Sequence, residues 1–179
     1  MARPWRGPAG RWGAVLVLAL VVAALLWSGD GEPGGSGAGD GRSRAGESVE
    51  AQVVRVVDGD TIEVVLDGRT EDVRYIGVDT PETVKPGTPV ECFGERAARF
   101  NESLVGGERV RLQFDRELRD RYGRLLAYVY VGKRLVNAEL IRGGYARTLE
   151  IEPNTAKAER LSELELAAGQ VGRGLWSSC

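Results

Sequence analysis

The sequence contains no histidine, and this absence excludes several kinds of active site. Without an imidazole, neither a Ser-His-Asp triad nor a Cys-His pair can be built. A zinc site would have to consist of carboxylates and thiolates alone. Any acid–base catalysis by this chain must therefore depend on other side chains.

A strong excess of charge of one sign is also absent. The chain of 179 residues has 24 Lys and Arg against 26 Asp and Glu, which gives a net charge of −2. The part that follows Ser48 is mildly acidic, so counterion release provides no strong general attraction to nucleic acid. Binding of nucleic acid would have to come from local basic clusters or from a bound cation.

The N-terminus differs in composition from the rest of the chain. Residues 1–29 combine arginines with an apolar run from Trp12 to Trp27, which is typical of a secretory signal or a signal anchor and predicts export. No clean small-residue cleavage site follows directly, so we expect an uncleaved membrane anchor with the domain outside the cytoplasm. The alternative is a cleaved signal and a secreted domain. Residues 30–48 are rich in glycine and predict a flexible linker, which leaves residues 49–179 as one small domain.

Cysteine is scarce in the sequence, with Cys92 and Cys179 as its two examples. The space outside the cytoplasm is oxidising, and disulfides persist there. We therefore predict a disulfide between the two residues, which would close a long loop and stabilise the folded domain. The alternative is a pair of free thiols.

Alternating and apolar segments predict the secondary structure of the domain. The segments with strand character are 53–57, 61–66, 71–78, 109–114 and 125–131, and those with helical periodicity are 94–105, 134–146 and 154–170. Asp67-Gly68 predicts a type I′ hairpin turn between the second and third strands. Asn154 can cap the third helix, on which Leu161, Leu164 and Ala168 share a face. Five short strands with interspersed helices indicate an α+β domain built on a small barrel.

The stretch Val56–Val64 reads VVDGDTIEV and places two acids between two predicted strands. Gly59, between Asp58 and Asp60, can adopt a positive φ that would aim the Asp60 side chain inward. The alternative interpretation is an ordinary Asp-Gly turn. Taken alone, the motif favours the ordinary turn.

A second group of acids follows the third predicted strand, in Asp79-Thr80-Pro81-Glu82. Pro81 biases Thr80 toward extended geometry and prevents further strand pairing, so these acids are expected at the edge of the sheet. Asp79 and Asp60 together offer hard oxygen ligands from two strand ends. The pair suits calcium or another cation that prefers oxygen.

Arg74 lies within a predicted strand, where alternation places it on the same face as Ile76 and Val78. A desolvated arginine is costly unless carboxylates or an anion compensate its charge. Arg74 is therefore a candidate for binding an anion. The alternative is an arginine at the mouth of the barrel that is paired with a nearby acid.

A third motif, RDRYGR, places Arg119, Arg121 and Arg124 around Tyr122 just before an apolar strand. Guanidinium groups bind phosphate through two hydrogen bonds, and a phenol can donate a third. The motif is thus a candidate phosphate-binding turn. A solvated basic turn is the alternative.

In combination, these motifs resemble the staphylococcal nuclease (thermonuclease) family. The resemblance covers about residues 52–177 and includes VVDGDTIEV, VRYIGVDTPET, FGERAARF, DRYGRLLAYVYV, LVNAELIRGGYAR, PNT and the closing GLW. It implies a five-stranded OB-type β-barrel with three α-helices. It also implies a calcium-dependent nuclease, acting as a monomer, that hydrolyses DNA and RNA and leaves 3′-phosphate and 5′-hydroxyl ends.

The resemblance further implies a role for each residue of a site. The implied calcium ligands are Asp60, Asp79 and the backbone carbonyl of Thr80, and Asp58 is an acid next to these ligands that does not itself bind the metal. The implied catalytic residues are Arg74, Arg124 and the general base Glu82. The implied phosphate contacts are Arg121 and Tyr122. Retention of both arginines and the base argues against a non-catalytic OB-fold module that binds single strands. A calcium-stabilised surface domain without a nucleic-acid ligand is a further alternative.

One segment departs from the family. The best-known member has aromatic residues that stack on bases after its second helix, whereas this chain reads TLEIEPNT, with Glu150 and Glu152 near those positions. Stacking contributes about 1–3 kcal/mol per base, and acids repel phosphate. The segment predicts weaker or differently placed contacts with bases.

Overall fold

The computed structural model of the chain describes residues 46–83, 87 and 89–179. In that part, the strands are β1 (Ser48–Val56), β2 (Thr61–Leu66), β3 (Arg69–Tyr75), β4 (Gly77–Asp79), β5 (Arg109–Gln113), β6 (Leu125–Val131), β7 (Arg134–Leu135) and β8 (Arg147–Leu149), and the helices are α1 (Gly94–Val105), α2 (Val136–Arg142), α3 (Ala158–Gln170) and α4 (Leu175–Ser178). The predicted signal or anchor, and the linker up to residue 45, lie outside the described residues. No helix in the described part is both long and apolar enough to span a bilayer.

Five of the described strands form a closed barrel. They are hydrogen-bonded in the order β3-β2-β1-β5-β6, and parallel pairing of β3 with β6 closes the sheet. In β2, Ile62, Val64 and Leu66 alternate with more exposed residues and lie in the core, as a half-buried strand requires. The α+β barrel predicted from the sequence is confirmed.

The hairpin between β2 and β3 follows its prediction. Asp67 and Gly68 have φ values of 50° and 75°, and Leu66 pairs with Arg69 across the turn. Positive φ at both central residues is the requirement of a type I′ turn.

The predicted strand 71–78 is interrupted. β3 ends at Tyr75, and β4 begins at Gly77, where φ is 75°. In β3, Val73 and Tyr75 lie in the core, and Arg74 between them is directed away from it. The interruption breaks this alternation, so Ile76 and Val78 are buried as well. The expectation that Arg74 shares a face with Ile76 and Val78 is therefore wrong.

The helices confirm the predicted periodicity and differ at their ends. α1 has the predicted bounds, whereas α2 begins at Val136 because the two preceding residues form β7. In α3, Leu161 and Ala168 are buried on one face, as predicted. Asn154 does not cap this helix, because its side-chain amide accepts from the Glu117 N–H and donates to the Glu117 carbonyl, both at 2.8 Å.

A disulfide joins Cys92 to Cys179, with 5.9 Å between the two Cα atoms. It connects the turn that precedes α1 to the residue that follows α4. The predicted pairing is confirmed, and the alternative of two free thiols is wrong.

Candidate active site

The turn between β1 and β2 buries the carboxylate of Asp60, which is 1% exposed. Its Oδ2 accepts hydrogen bonds from the backbone N of Thr80 at 2.7 Å and from Thr80 Oγ1 at 2.9 Å. Gly59 has no positive φ here, so the sequence argument for it is wrong. A Cβ at Gly59 would lie 2.7 Å from the Thr80 side chain, and close packing is the reason that this position suits glycine.

Arg74 brings the acids of the two strand ends together. Its guanidinium forms an ion pair with Asp60 Oδ1, lies 3.1 Å from Asp79 Oδ1 and donates to the Val78 carbonyl at 3.2 Å. Burial lowers the pKa of Arg74, while the charges of Asp79 and Asp58 act in the opposite direction. The arginine nonetheless stays protonated near neutral pH. Arg74 is thus paired with acids at the end of the barrel, and part of its side chain remains accessible to an anion.

Asp60 and Asp79 both pair with Arg74 and therefore lie close enough together to be considered as ligands of one metal ion. Among the residues that the structure describes, no three or more acidic, cysteine or histidine side chains are arranged to hold a metal ion. A cation at this corner would rely on two carboxylates, a backbone carbonyl such as that of Thr80, and water. Calcium accepts such a mixed set of oxygen ligands, so the donors fit it.

Asp58 supports the turn that carries Asp60. Its Oδ1 accepts from the backbone N of Asp60 at 3.0 Å, and its carbonyl accepts from the side chain of Asn101 at 3.0 Å. Burial raises the pKa of Asp58, which the positive charge of Arg74 partly offsets and the negative charge of Glu82 reinforces.

Asn101, on α1, is a buried residue that the sequence analysis missed. Its Oδ1 accepts from the Tyr75 hydroxyl at 2.9 Å, and its Nδ2 holds the Asp58 carbonyl. Ala97 and Val105, four residues on either side, are also buried. A polar residue in the middle of this otherwise apolar helix face was the signal that could have identified it.

Glu82 follows Pro81 at the exit from β4. Its Oε1 accepts a hydrogen bond from the backbone N of Thr83 at 2.8 Å. Its backbone binds Glu91, which precedes α1: the Glu82 N donates to Glu91 Oε2 at 3.1 Å, and the Glu82 carbonyl accepts from the Glu91 N at 2.9 Å. Glu82 is thus held near the acidic corner, where its charge acts on Asp58.

Asp120 organises the loop between β5 and β6. Its Oδ1 accepts from the backbone N of Tyr122 at 2.9 Å and of Arg124 at 3.0 Å, while its Oδ2 accepts from Arg124 Nε at 2.7 Å. Burial raises the pKa of Asp120, but the hydrogen bonds from Arg124 and Tyr122, together with the charge of Arg124, outweigh burial and lower the pKa below its usual range. The sequence analysis missed Asp120, although an aspartate three residues before a glycine is a known turn signal.

The arginines of this loop have different environments. Arg119 binds Glu71 of β3 through two hydrogen bonds of 2.8 and 2.9 Å and donates to the Gly123 carbonyl, so it fastens the loop to the barrel. Arg121 donates to the hydroxyl of Tyr122, which is 70% exposed. Of the three arginines grouped by the sequence, Arg119 is therefore structural.

A cavity of about 490 Å³ lies between Arg74 and Arg124. Arg121 and Tyr122 line one side, and apolar side chains that include Leu149 and Ile151 line another. Glu150 and Glu152 do not line it. Of this segment, Leu149 and Ile151 rather than the two acids contact the cavity, and weaker or differently placed contacts with bases stay a prediction.

Comparison with known proteins identifies the family. Residues 72–178 match the family model described as staphylococcal nuclease homologue. The chain belongs to the staphylococcal nuclease family. It is 40% identical over 164 residues to a thermonuclease of Staphylococcus hyicus, covering 92% of this chain and 95% of the relative. A thermonuclease of Staphylococcus intermedius is 42% identical over 165 residues, covering 90% and 95% of the two chains. Endonuclease YncB of Bacillus subtilis is 43% identical over 133 residues, covering 72% of this chain and 62% of the relative.

Membership of the staphylococcal nuclease family makes the chain an enzyme, a nuclease, rather than a non-catalytic binding module. The structure brings Asp58, Asp60, Arg74, Asp79 and Thr80 together at one corner of the barrel. Arg124, Arg121 and Tyr122 share the cavity with Arg74. The catalytic roles of these residues stay predictions.

Proposed function

We propose that this nuclease hydrolyses phosphodiester bonds of DNA and RNA in a calcium-dependent reaction at the cavity between Arg74 and Arg124. The observation that carries this proposal is that both arginines line one cavity of about 490 Å³ next to the acidic corner. A cavity of this size accommodates a nucleotide-sized ligand. The use of both nucleic acids, and the 3′-phosphate and 5′-hydroxyl products, are supported by the family resemblance.

The two arginines grip the phosphate whose bond is cleaved. Each guanidinium is oriented in advance, Arg74 by Asp79 and Arg124 by Asp120. Planar guanidinium groups complement the negative charge that spreads over the phosphoryl oxygens in the transition state. Because the groups are already aligned, this stabilisation requires little reorganisation during the reaction.

Glu82 acts as the general base in this proposal. Its carboxylate, held by the Thr83 N–H, takes the proton from the attacking water. A chain without histidine has no imidazole for this task, and Glu82 is held beside the corner formed by Asp58 and Asp60. Calcium held by Asp60, Asp79 and the Thr80 carbonyl would neutralise charge on a phosphodiester oxygen and orient the water.

Leu149 and Ile151 form the wall of the cavity against which we propose that a base or sugar rests. Their side chains are partly exposed there, 37% and 59% respectively. Aliphatic contact lacks the stacking that an aromatic ring gives, which is worth about 1–3 kcal/mol per base. We expect weak affinity for the base, with most of the binding at the phosphate.

We also propose that the domain works outside the cytoplasm, held by its N-terminal segment or released after cleavage. The support is the arginine-flanked apolar run in the sequence and the oxidised cysteine pair, which suits an oxidising compartment. Cell fractionation with mass measurement of the N-terminus separates anchoring from release, and intact protein in the cytosol would reject export.

Digestion of single- and double-stranded DNA and of RNA, in calcium, magnesium or chelator, tests the proposed function. Glu82→Gln keeps the size of the side chain but loses the base, so turnover should fall by about 10²–10⁴-fold while substrate still binds. Asp60→Ala should weaken metal affinity, so added calcium should restore part of its rate. End-labelling of the products determines which end carries the phosphate.

Two outcomes contradict the mechanism separately. A folded Glu82→Gln variant that cleaves DNA at near the parent rate rejects the base. A parent enzyme that is equally active in chelator rejects the requirement for calcium.

A further inference from the structure

Glu91 binds both polar groups of the Glu82 backbone. Its carboxylate accepts from the Glu82 N–H at 3.1 Å, and its own N–H donates to the Glu82 carbonyl at 2.9 Å. Two hydrogen bonds to one peptide segment fix its position and its orientation together. The conformation of Glu82 therefore depends on a residue nine positions further along the chain.

The start of α1 packs directly against the same backbone. A Cβ at Gly94 would lie 2.9 Å from the Pro81 carbonyl oxygen and 3.0 Å from that of Glu82. Real side chains almost never make such short contacts, so glycine at this position permits the close approach. The Gly94 N also donates to the Glu91 carbonyl at 3.0 Å, which links Glu91 to the first turn of the helix.

The turn that carries Glu91 is itself held from several sides. Phe93 has a φ of 72°, a conformation that a bulky residue adopts only where its surroundings impose it. Its ring lies 5.5 Å from that of Tyr145, and Arg96 lies 5.1 Å from its centroid. Cys92, next to Glu91, is covalently bound to Cys179. The turn that carries Glu91 is thus held in place by the ring contacts of Phe93 and by the disulfide of Cys92.

We propose that Glu91 is a positioning residue for catalysis, which holds the Glu82 backbone so that the Glu82 carboxylate is aimed at the reacting water. This inference rests on the proposed role of Glu82 as the base. Displacement of a reacting group by about 1 Å can reduce a rate about 10²-fold, so a pair of hydrogen bonds to its backbone has a measurable effect. A purely structural Glu91 would instead affect stability without a specific effect on turnover.

Steady-state kinetics on full-length variants test this inference. Glu91→Ala removes the acceptor for the Glu82 N–H, and kcat should fall about 10- to 100-fold with little change in KM. Glu91→Gln keeps an amide oxygen at nearly the same place and should recover most of the loss. Glu95→Ala is the matched control, because Glu95 lies one turn further on and pairs with Arg99 at 3.1 Å. It should retain the parent kcat.

The combination of Glu91→Ala with Glu82→Gln separates positioning from general stability. Without the carboxylate there is no base to position, so Glu91→Ala should reduce kcat no further in the Glu82→Gln background. Two losses that multiply would overturn the inference, as would a folded Glu91→Ala variant with the parent kcat. A Glu82→Gln enzyme with the parent rate would reject the proposed base itself, which is a distinguishable result.

If Glu91→Ala does not fold, comparison of the kcat of Glu91→Asp with that of Glu91→Gln tests the inference instead. Aspartate keeps the charge but is one methylene too short to reach the Glu82 N–H, whereas glutamine keeps the length. The inference requires the glutamine variant to have the higher kcat at matched thermal midpoints. Equal rates would overturn it.

Discussion

Arg74 and Arg124 approach the proposed phosphate position from different elements, and carboxylates hold both of them. Asp79 and Asp60 hold Arg74, and Asp120 binds the Arg124 side chain at 2.7 Å while fixing the backbone of the same loop. An unrestrained arginine has many rotamers, and fixing it only when substrate binds has an entropic cost. Preorganisation of each arginine therefore favours the reaction before the substrate arrives.

Asp120→Ala should release Arg124 and reduce kcat by about 10-fold or more, because the guanidinium loses its orientation. Asp120→Asn separates two effects: its amide oxygen can still accept from the Tyr122 and Arg124 backbone, but it loses the ion pair. The measurement is the kcat of both variants, with Asp72→Ala as the control because Asp72 is an exposed acid on β3. Parent activity in a folded Asp120→Ala variant would contradict the role assigned to Asp120.

The sequence predicted individual site residues unevenly. Asp60 and Asp79 were found because acids at two strand ends offer oxygen ligands. Arg74 was found because alternation placed it on a core face, which is wrong, but the structure does pair it with both acids. Asn101 and Glu91 were missed, since each acts through hydrogen bonds to the backbone of a segment far away in the sequence. Such pairings depend on how the elements pack and leave no local pattern.

Between elements, the ion pair of Arg119 with Glu71 fastens the loop after β5 to strand β3. The hydrogen bond from Arg119 lowers the pKa of Glu71 from its ordinary value of 4.5. A carboxyl whose pKa is lower in the folded state stabilises the fold above its unfolded pKa, and this contribution is lost as the pH falls through the folded pKa. The ion pair that fastens the loop after β5 to strand β3 is therefore lost at low pH.

Glu71→Gln should therefore destabilise the protein near pH 6 and make less difference as the pH falls through the lowered pKa of Glu71, where the parent glutamate becomes protonated. Because the pair is partly exposed, the effect near pH 6 should be at most about 1 kcal/mol. Urea unfolding of both proteins across this range measures it. Arg119→Gln should remove the same pH dependence of stability, in addition to losing the hydrogen bond to the Gly123 carbonyl. Adding Glu71→Gln to Arg119→Gln should then have no further effect on stability near pH 6, and a further loss would contradict a simple pair.

The elements were predicted where local pattern decides their structure. The Asp67-Gly68 turn and helix α1 appear as expected, because turn chemistry and apolar periodicity act within a few residues. The break after Tyr75 was missed. A Cβ at Gly77 would lie 2.6 Å from a methyl of Leu161 on α3. The need for glycine at this position therefore comes from packing against a helix that is distant in the chain.

For the whole molecule, the disulfide is the largest covalent constraint in the described residues. Cys92 and Cys179 are 87 positions apart, and closure of such a loop stabilises the fold by about 4 kcal/mol in the chain-entropy model, less any native strain. The same bond holds the turn that carries Glu91.

Cys92→Ser/Cys179→Ser should consequently lower the free energy of unfolding by up to about 4 kcal/mol, measured by urea denaturation. Reductant should lower the stability of the parent and leave the double variant unchanged. Equal stability of the parent with and without reductant, with both thiols shown to be free in the reduced sample, would contradict the stabilising role.

The parallel pairing of β3 with β6 has a consequence for the time course of folding. β1, β2 and β3 can pair locally as soon as they are made, but Val73–Tyr75 has no partner on its other edge until Leu125–Ala127 exists. Contacts this distant in sequence form slowly, and an open edge strand invites association in the interval. Arg74 itself pairs with Leu126, two residues beyond Arg124, so the two arginines meet only when the barrel closes. We therefore expect the nuclease activity proposed for these two arginines to appear only once β3 has paired with β6.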